Sequence, residues 1–430
     1  MTTEATLHLA CRQGNLQDVL RLLNEGANVN DTDQRRWTPL HVSSYFGHYD
    51  VCSLLLEGGA DLNATTQKGS TPLHLASNNG HEDVCALLLE GGADLNASTQ
   101  KGFTPLHLSS LKGHEDVCAL LLERGADVNA TENRGWTALH LSSQNGHEDV
   151  SALLLERGAD VNATEEDKWT PLHLSSQNGH KDVSVLLLER GADVNATEED
   201  KWTPLHLSSQ NGHKDFSAIL LERGADLNAT TRKGYTPLHL SSKKGHADVS
   251  ALLLERGADL NATTRKGFTP LHLSCEKGHT DVSALLLERG ADLNATTEKG
   301  VIPLHLSSQN GHKDEKNRSP RSRDSEETDA NSRHLPPPPS RTFSASVLTL
   351  ASLFADSFDG SFEGKRDSTE DGGSVAIHLC SQSENGGKIA GLMVENTFTS
   401  IPHVARSMLN VRLVQHLPSF CYKKKVCFLF

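Results

Sequence analysis

KGFTPLHLSSLKGHEDVCALLLERGADVN, residues 101–129, divides by its own punctuation into two short helices and the turns that part them. Pro105 suits a first helical turn, where its missing N–H costs nothing, and Thr104 before it can cap that helix. Leu106 and Leu108 begin the first helix and Gly113 ends it. Asp116 opens a second helix whose Val117, Leu120, Leu121 and Leu122 supply an apolar face. Gly125 stops that helix, and Ala126 to Thr131 form an extended return. Helices this short are marginal alone, so the segment needs neighbours on which to bury its leucines.

The neighbours are copies of itself. Thr-Pro-Leu-His begins at Thr38, Thr71, Thr104, Thr170, Thr203, Thr236 and Thr269, with variants at Ala5, Thr137 and Ile302, and each step is 33 residues. Nine complete units and one broken unit therefore run from about Thr2 to Asp314 without insertion or deletion. Period and residues together resemble the ankyrin repeat. The fold class that follows is an all-α repeat: an ankyrin solenoid of stacked helix-turn-helix units with β-hairpin-like fingers. Arg12, Gln13, Gln17 and Arg21 mark the first unit as an exposed end cap. The last unit stops after Gly311-His312-Lys313-Asp314 with no second helix, so fraying is expected there.

The expected organisation is an array over 1–314, a disordered Ser/Pro/charged linker over 315–371, and a partial segment over 372–430 that does not fold independently. The linker is too poor in apolar residues to bury a core, and its Pro336–Pro339 run is a candidate SH3 or WW contact, with a plain spacer preferred.

Composition narrows the function. A net charge of -14 argues against general nucleic-acid binding, which wants a basic face. No apolar run reaches membrane-spanning length, and Met1–Leu9 lacks the basic start and apolar core of a leader, so the cytoplasm is the expected compartment, with the nucleus second. Cys52, Cys85 and Cys118 lie one repeat apart and read as buried small side chains rather than metal ligands, since no C-x-x-C pair is present. The Asn-x-Ser/Thr triplets that begin at Asn63 and recur in each unit to Asn294 would place a glycan on every stacked turn of a secreted chain. Asn129, Asn162 and Asn195 end stretches that resemble ankyrin sites of asparaginyl hydroxylation.

The 23 histidines are mostly a consequence of the repeat. Ten occupy the Thr-Pro-Leu-His place, from His8 to His305, and nine follow a helix-ending glycine, from His48 to His312. The ankyrin resemblance implies that they tie turns and neighbouring units by hydrogen bonds. Residues 372–425 resemble the middle of an alpha/beta-hydrolase of the kind named alpha/beta-hydrolase-domain-containing protein thirteen, most specifically at Val394-Glu395-Asn396-Thr397-Phe398. Fitted to that family's Gly-x-Ser-x-Gly elbow, the nucleophilic serine falls on Glu370 and the first glycine on Ser368. No catalytic residue, metal or cofactor is expected.

The residue before each Thr-Pro-Leu-His reads Trp37, Ser70, Phe103, Trp136, Trp169, Trp202, Tyr235, Phe268 and Val301, and takes in every tryptophan of the chain. The ankyrin resemblance puts this place at the base of a projecting finger. The finger neighbours vary while the core stays fixed: Gln34 and Arg35, Glu166 and Asp167, Glu199 and Asp200, Arg232 and Lys233, Arg265 and Lys266. Large aromatics among variable charges suit a protein-binding surface, because Trp, Tyr and Arg supply most hot-spot energy; the bland alternative is rings that pack on the next finger. Charge runs from acidic around Glu165–Asp167 and Glu198–Asp200 to basic around Arg232, Lys233, Lys243 and Lys244, which calls for a partner of opposite charge order. The expected function is a monomeric, non-enzymatic scaffold that binds a protein partner through its fingers and inner helices. The alternatives are a substrate-recognition subunit of a ubiquitin-ligase or other modifying complex, and an ankyrin-tethered serine hydrolase.

Overall fold

The computed structural model describes the backbone of residues 3–310 and the side chains of residues 7–310. The truncated end of the last unit, the 315–371 linker with its proline run and the hydrolase-like 372–430 segment lie outside the described residues.

Among the described residues there are nineteen α-helices and no strand. They alternate as inner and outer members of one unit after another, for example Pro105–Lys112 followed by Glu115–Glu123, then Ala138–Asn145 followed by Glu148–Glu156. The inner helix begins where its chemistry allows. Thr104 accepts from the backbone N–H of His107, while His107 reaches back to the Thr104 N–H, so two orphan donors are satisfied reciprocally. Pro105 occupies the first turn, and Gly113, in left-handed backbone at φ 75°, ends the helix. The outer helix has no side-chain cap; His114 stands before it and Glu115 and Asp116 in its first turn meet the helix dipole.

One continuous core runs through the array. In a single unit it takes Leu106, Val117, Cys118 and Leu121, all at 2% exposure or less, and the same places recur as Leu139, Val150 and Leu154, then Leu172, Val183 and Leu187. At roughly 1.5–3 kcal/mol for each buried Leu, this apolar stack dominates the stability of every unit. Cys52, Cys85 and Cys118 are fully buried in it, and burial pushes the Cys85 thiol up to about 12, so these are packing groups. From the fifth unit the Cys place is taken by Ser151, Ser184, Ser217, Ser250 and Ser283, whose hydroxyls meet the inner-helix serines, as Ser151 does with Ser142 at 2.8 Å.

Three polar columns stitch the units. Buried His107 presents Nε2 to the Trp136 carbonyl of the next unit at 3.0 Å, a link made by every such histidine from His8 to His272. The second class reaches backward: His114 Nε2 meets the Asn78 carbonyl at 3.1 Å. Asparagines form the third column. Asn129 Oδ1 accepts from the Asp160 N–H at 2.8 Å and its amide donates to the Gly158 carbonyl at 3.2 Å, which gives the periodic asparagine a structural task beyond its triplet. The return is a turn rather than an extended strand, since the Ala130 N–H bonds the Asp127 carbonyl at 3.2 Å.

The finger is a short hairpin-like loop with no sheet pairing. Thr99 N–H bonds the Phe103 carbonyl and Gly102 N–H bonds the Thr99 carbonyl, closing a tight loop; one backbone bond, from Gln100 N–H to the Lys68 carbonyl, and the Gln100 side-chain amide donating to the Gln67 carbonyl at 2.7 Å join it to the previous finger. One backbone bond per neighbour is too sparse for a sheet ladder, so no strand forms among the described residues. At the start of the array Arg12, Gln13, Gln17 and Arg21 are exposed, as an end cap requires, but so are Leu9 and Leu20. At the other end Leu287, Leu293 and Leu304 are exposed because no further outer helix covers them among the described residues.

Candidate interaction face

The fingers are held from inside by side chains at their first residue. Thr99 Oγ accepts from the Phe103 N–H at 3.1 Å, and Thr66, Thr231, Thr264 and Thr297 act likewise in their own fingers. In the middle units a glutamate takes this place. Glu165 Oε1 accepts from the Asp167 N–H at 2.8 Å and the Trp169 N–H at 3.1 Å, and Glu198 accepts from the Trp202 N–H at 2.9 Å. Burial raises the pKa of both carboxyls. Glu165 and Glu198 are therefore finger-closing groups, and the acidic surface expected around them is smaller than the sequence suggests. A signal was present: they align with Thr66, Thr99 and Thr231, all able to accept one N–H.

Where a finger ends in an aromatic residue, the ring lies on the inner-helix histidine of its own unit, whereas Ser70 and Val301 fill the place in two others. Ring centroids are 5.9 Å apart for Trp136 and His140, 5.8 Å for Trp169 and His173, and 6.0 Å for both Trp202–His206 and Tyr235–His239. Trp37, Phe103 and Phe268 repeat the arrangement with His41, His107 and His272. The rings are not equally available. Trp169 and Phe103 are each only 8% exposed, whereas Trp37, Trp136, Trp202, Tyr235 and Phe268 are half-buried. Trp169 forms a small apolar cluster with Leu174 and Leu207, against which Trp136 and Trp202 pack. Packing thus claims Trp169 and Phe103, while the other rings keep an edge for contact.

The finger tips are exposed at Arg35, Glu166, Asp167, Glu199, Asp200, Arg232, Lys233, Arg265 and Lys266. Several are engaged with one another. Arg134 lies 3.9 Å from Glu166 and 3.6 Å from Asp167, and Arg232 lies 3.6 Å from Asp200 while donating to the Glu199 carbonyl at 2.7 Å. The acidic fingers are in this way partly neutralised by their neighbours.

The buried histidines beneath this face are chemically committed. A backbone carbonyl can only accept and a backbone N–H can only donate, so His107 carries its proton on Nε2, toward the Trp136 carbonyl, and offers Nδ1 to the Thr104 N–H at 3.1 Å. Burial pushes the pKa of His107, like His41, His74, His140, His173, His206 and His239, down to about 4. These rings are neutral hydrogen-bond bridges with no spare nitrogen for acid–base work. Among the described residues no group of three or more His, Cys, Asp or Glu is placed to hold a metal, and no helix is long and apolar enough to cross a membrane.

The family description "Ankyrin repeats (3 copies)" matches residues 3–66, 59–132, 130–198 and 195–264, and "Ankyrin repeats (many copies)" matches residues 253–307. The chain belongs to the ankyrin-repeat family. These ankyrin matches stop short of the hydrolase-like 372–430 segment, whose resemblance gains no support from them. Among curated proteins, protein phosphatase 1 regulatory subunit 27 of Homo sapiens and of Mus musculus are each 40% identical over 47 residues, which is 11% of this chain. The matched stretch spans 30% of either relative's length, so it reports shared ankyrin units.

Proposed function

We propose that this ankyrin array, residues 1–314, is a non-enzymatic scaffold that binds a protein partner through its fingers and inner helices. The observation behind this reading is the row of half-buried rings, Trp37, Trp136, Trp202, Tyr235 and Phe268, set at the base of exposed charged tips that differ from unit to unit. Half-buried aromatic edges beside arginines supply contact area at low entropic cost, and the variable tips provide selectivity. The partner set for binding is Trp37, Arg35, Phe103, Trp136, Trp169, Trp202, Tyr235, Phe268, Glu166, Asp167, Glu199, Asp200, Arg232, Lys233, Arg265 and Lys266. Within it Trp169 and Phe103 act by holding the surface rather than by touching the partner.

Affinity capture with the full chain tests the reading. The proteins retained should be lost with Trp136→Ala and Trp202→Ala combined with Glu199→Lys, while circular dichroism stays helical. Capture of the same proteins by the folded variant would refute it. A second reading, a targeting subunit inside a modifying complex, has one observation in its favour, the short likeness to a phosphatase regulatory subunit. Recovery of a phosphatase catalytic subunit or of ligase components in the same capture would select it.

A further inference from the structure

The charge of the finger face reverses locally on a chain whose net charge is -14. Over two successive units the exposed tips are Arg232, Lys233, Arg265 and Lys266, and the fingers are tied in register by the bond from Arg265 N–H to the Lys233 carbonyl at 3.1 Å. The last turn of the adjoining inner helix, Pro237–Lys244, adds Lys243 and Lys244. Lys243 stretches back over the Tyr235 ring, its Nζ 5.6 Å from the centroid, and so links helix end to finger base.

Here the structure gathers like charges instead of pairing them. Arg134 and Arg232 lie within 4 Å of finger carboxylates, but Lys233, Lys243, Lys244, Arg265 and Lys266 make no ion pair among the described residues. Of the carboxylates close by, Asp200 is held by Arg232 at 3.6 Å and Glu276 by Lys277 at 3.2 Å, while Glu298 stands exposed on the following finger, its N–H bonded to the Lys266 carbonyl at 3.1 Å. Lys243 feels the crowding: burial and then Lys277, Lys244 and Lys233 lower its pKa, with Glu276 pulling the other way. A cluster kept at this electrostatic cost is poised for an anion that relieves it. Tyr235 and Phe268, half-buried at the finger bases, add an apolar strip beside the cations.

We propose that this end of the finger face, Lys233, Lys243, Lys244, Arg265 and Lys266 beside Tyr235 and Phe268, takes an extended acidic peptide of a partner protein. The proposal rests on the scaffold reading above and names the chemistry of its ligand. Helices of adjacent units pack about 8–10 Å apart. An extended chain advances about 3.3 Å per residue, so a carboxylate at every third residue meets successive fingers. An apolar residue between the carboxylates meets the rings. A long polyanion is the poorer fit, because it would run on past Glu199, Glu166 and Asp167, all exposed on preceding fingers.

The test is fluorescence anisotropy of the full chain with a labelled peptide of Glu-Gly-Leu repeats, set against Lys-Gly-Leu repeats. The acidic peptide should bind and weaken as salt rises. Lys233→Glu and Lys266→Glu should each reduce affinity about tenfold. Arg157→Glu, at the C-terminal cap of an outer helix, should leave it unchanged. Equal binding of the basic peptide, or indifference to both lysine reversals in variants that remain helical, would overturn the proposal. So would single-stranded DNA or anionic vesicles that bind more tightly with the same lysine dependence. If the peptide fails while partner capture remains sensitive to Trp136, Trp202 and Glu199, this inference alone is lost and the scaffold reading stands.

Discussion

Lys168 and Lys201 hold left-handed backbone, φ 66° and 64°, at the finger place where other units use glycine, as at Gly102. A side chain there is strained by about 1 kcal/mol, because Cβ crowds the following carbonyl. Lys168→Gly should therefore raise stability by up to about 1 kcal/mol, read as a higher urea midpoint. The reverse change is expected to hurt: a Cβ on Gly102 would lie 2.8 Å from the Asn133 N–H nitrogen of the next finger. Hydroxyls offer a second contrast. Ser143, Ser209 and Ser242 bury an Oγ without a partner, whereas Ser241 bonds both Leu238 and Ser250. Ser242→Ala should stabilise by about 1 kcal/mol, since it removes a desolvated group with nothing to satisfy it, and Ser241→Ala should not. A melting curve of each variant decides between them.

The inner helix is the element that carries coupling between units, since its start is fixed by Thr and His of one repeat and its end is pressed by a histidine of the next. A Cβ on Gly113 would stand 2.5 Å from His147 Nδ1 and 2.7 Å from its Cε1. His147 is in turn bonded to the Leu111 carbonyl at 3.1 Å and cannot simply swing away. Gly113→Ala is thus expected to cost about 3 kcal/mol, through both the left-handed backbone and the lost backward bond. Chemical denaturation followed by helix signal measures it. The outer helices make a weaker ladder, with Arg157 on Glu123, Arg190 on Glu156 and Arg223 on Glu189 at 3.4–3.6 Å. These pairs are exposed, so each contributes little beside the buried histidine links.

The array as a whole should be sensitive to acid. Seven buried histidines have their pKa pushed from 6.5 down to about 4, and the unfolded chain keeps the ordinary value. Above 6.5 neither state takes up these protons. Below it the unfolded chain does and the folded array does not until about pH 4, so stability is lost as pH falls through that window. Each such ring contributes a slope of about 1.4 kcal/mol per pH unit, and units that unfold together add their slopes. Helix content titrated from pH 7 to pH 4 should therefore collapse steeply well before carboxylates alone would require; a gradual loss confined to pH below 4 would contradict the bridging role given to these rings.

The repeat, the order of two helices per unit, the Thr-Pro start, the glycine stops and the leucine core were all decided by the sequence, because each depends on residues within one turn or one period of each other. The bridging role of the histidines was also legible, through the ankyrin resemblance. What the stack alone decided is which finger residues face outward. Glu165 closes its own loop instead of presenting charge, Arg134 reaches the carboxylates of the next finger, and Trp169 sinks between its neighbours while Trp202 keeps an edge in the open. Residues 163–182 and 196–215 are identical in sequence, yet Trp169 is buried and Trp202 half-buried. The physical reason is that exposure on this face is set by the unit next door, about 33 residues away in sequence and in direct contact in space.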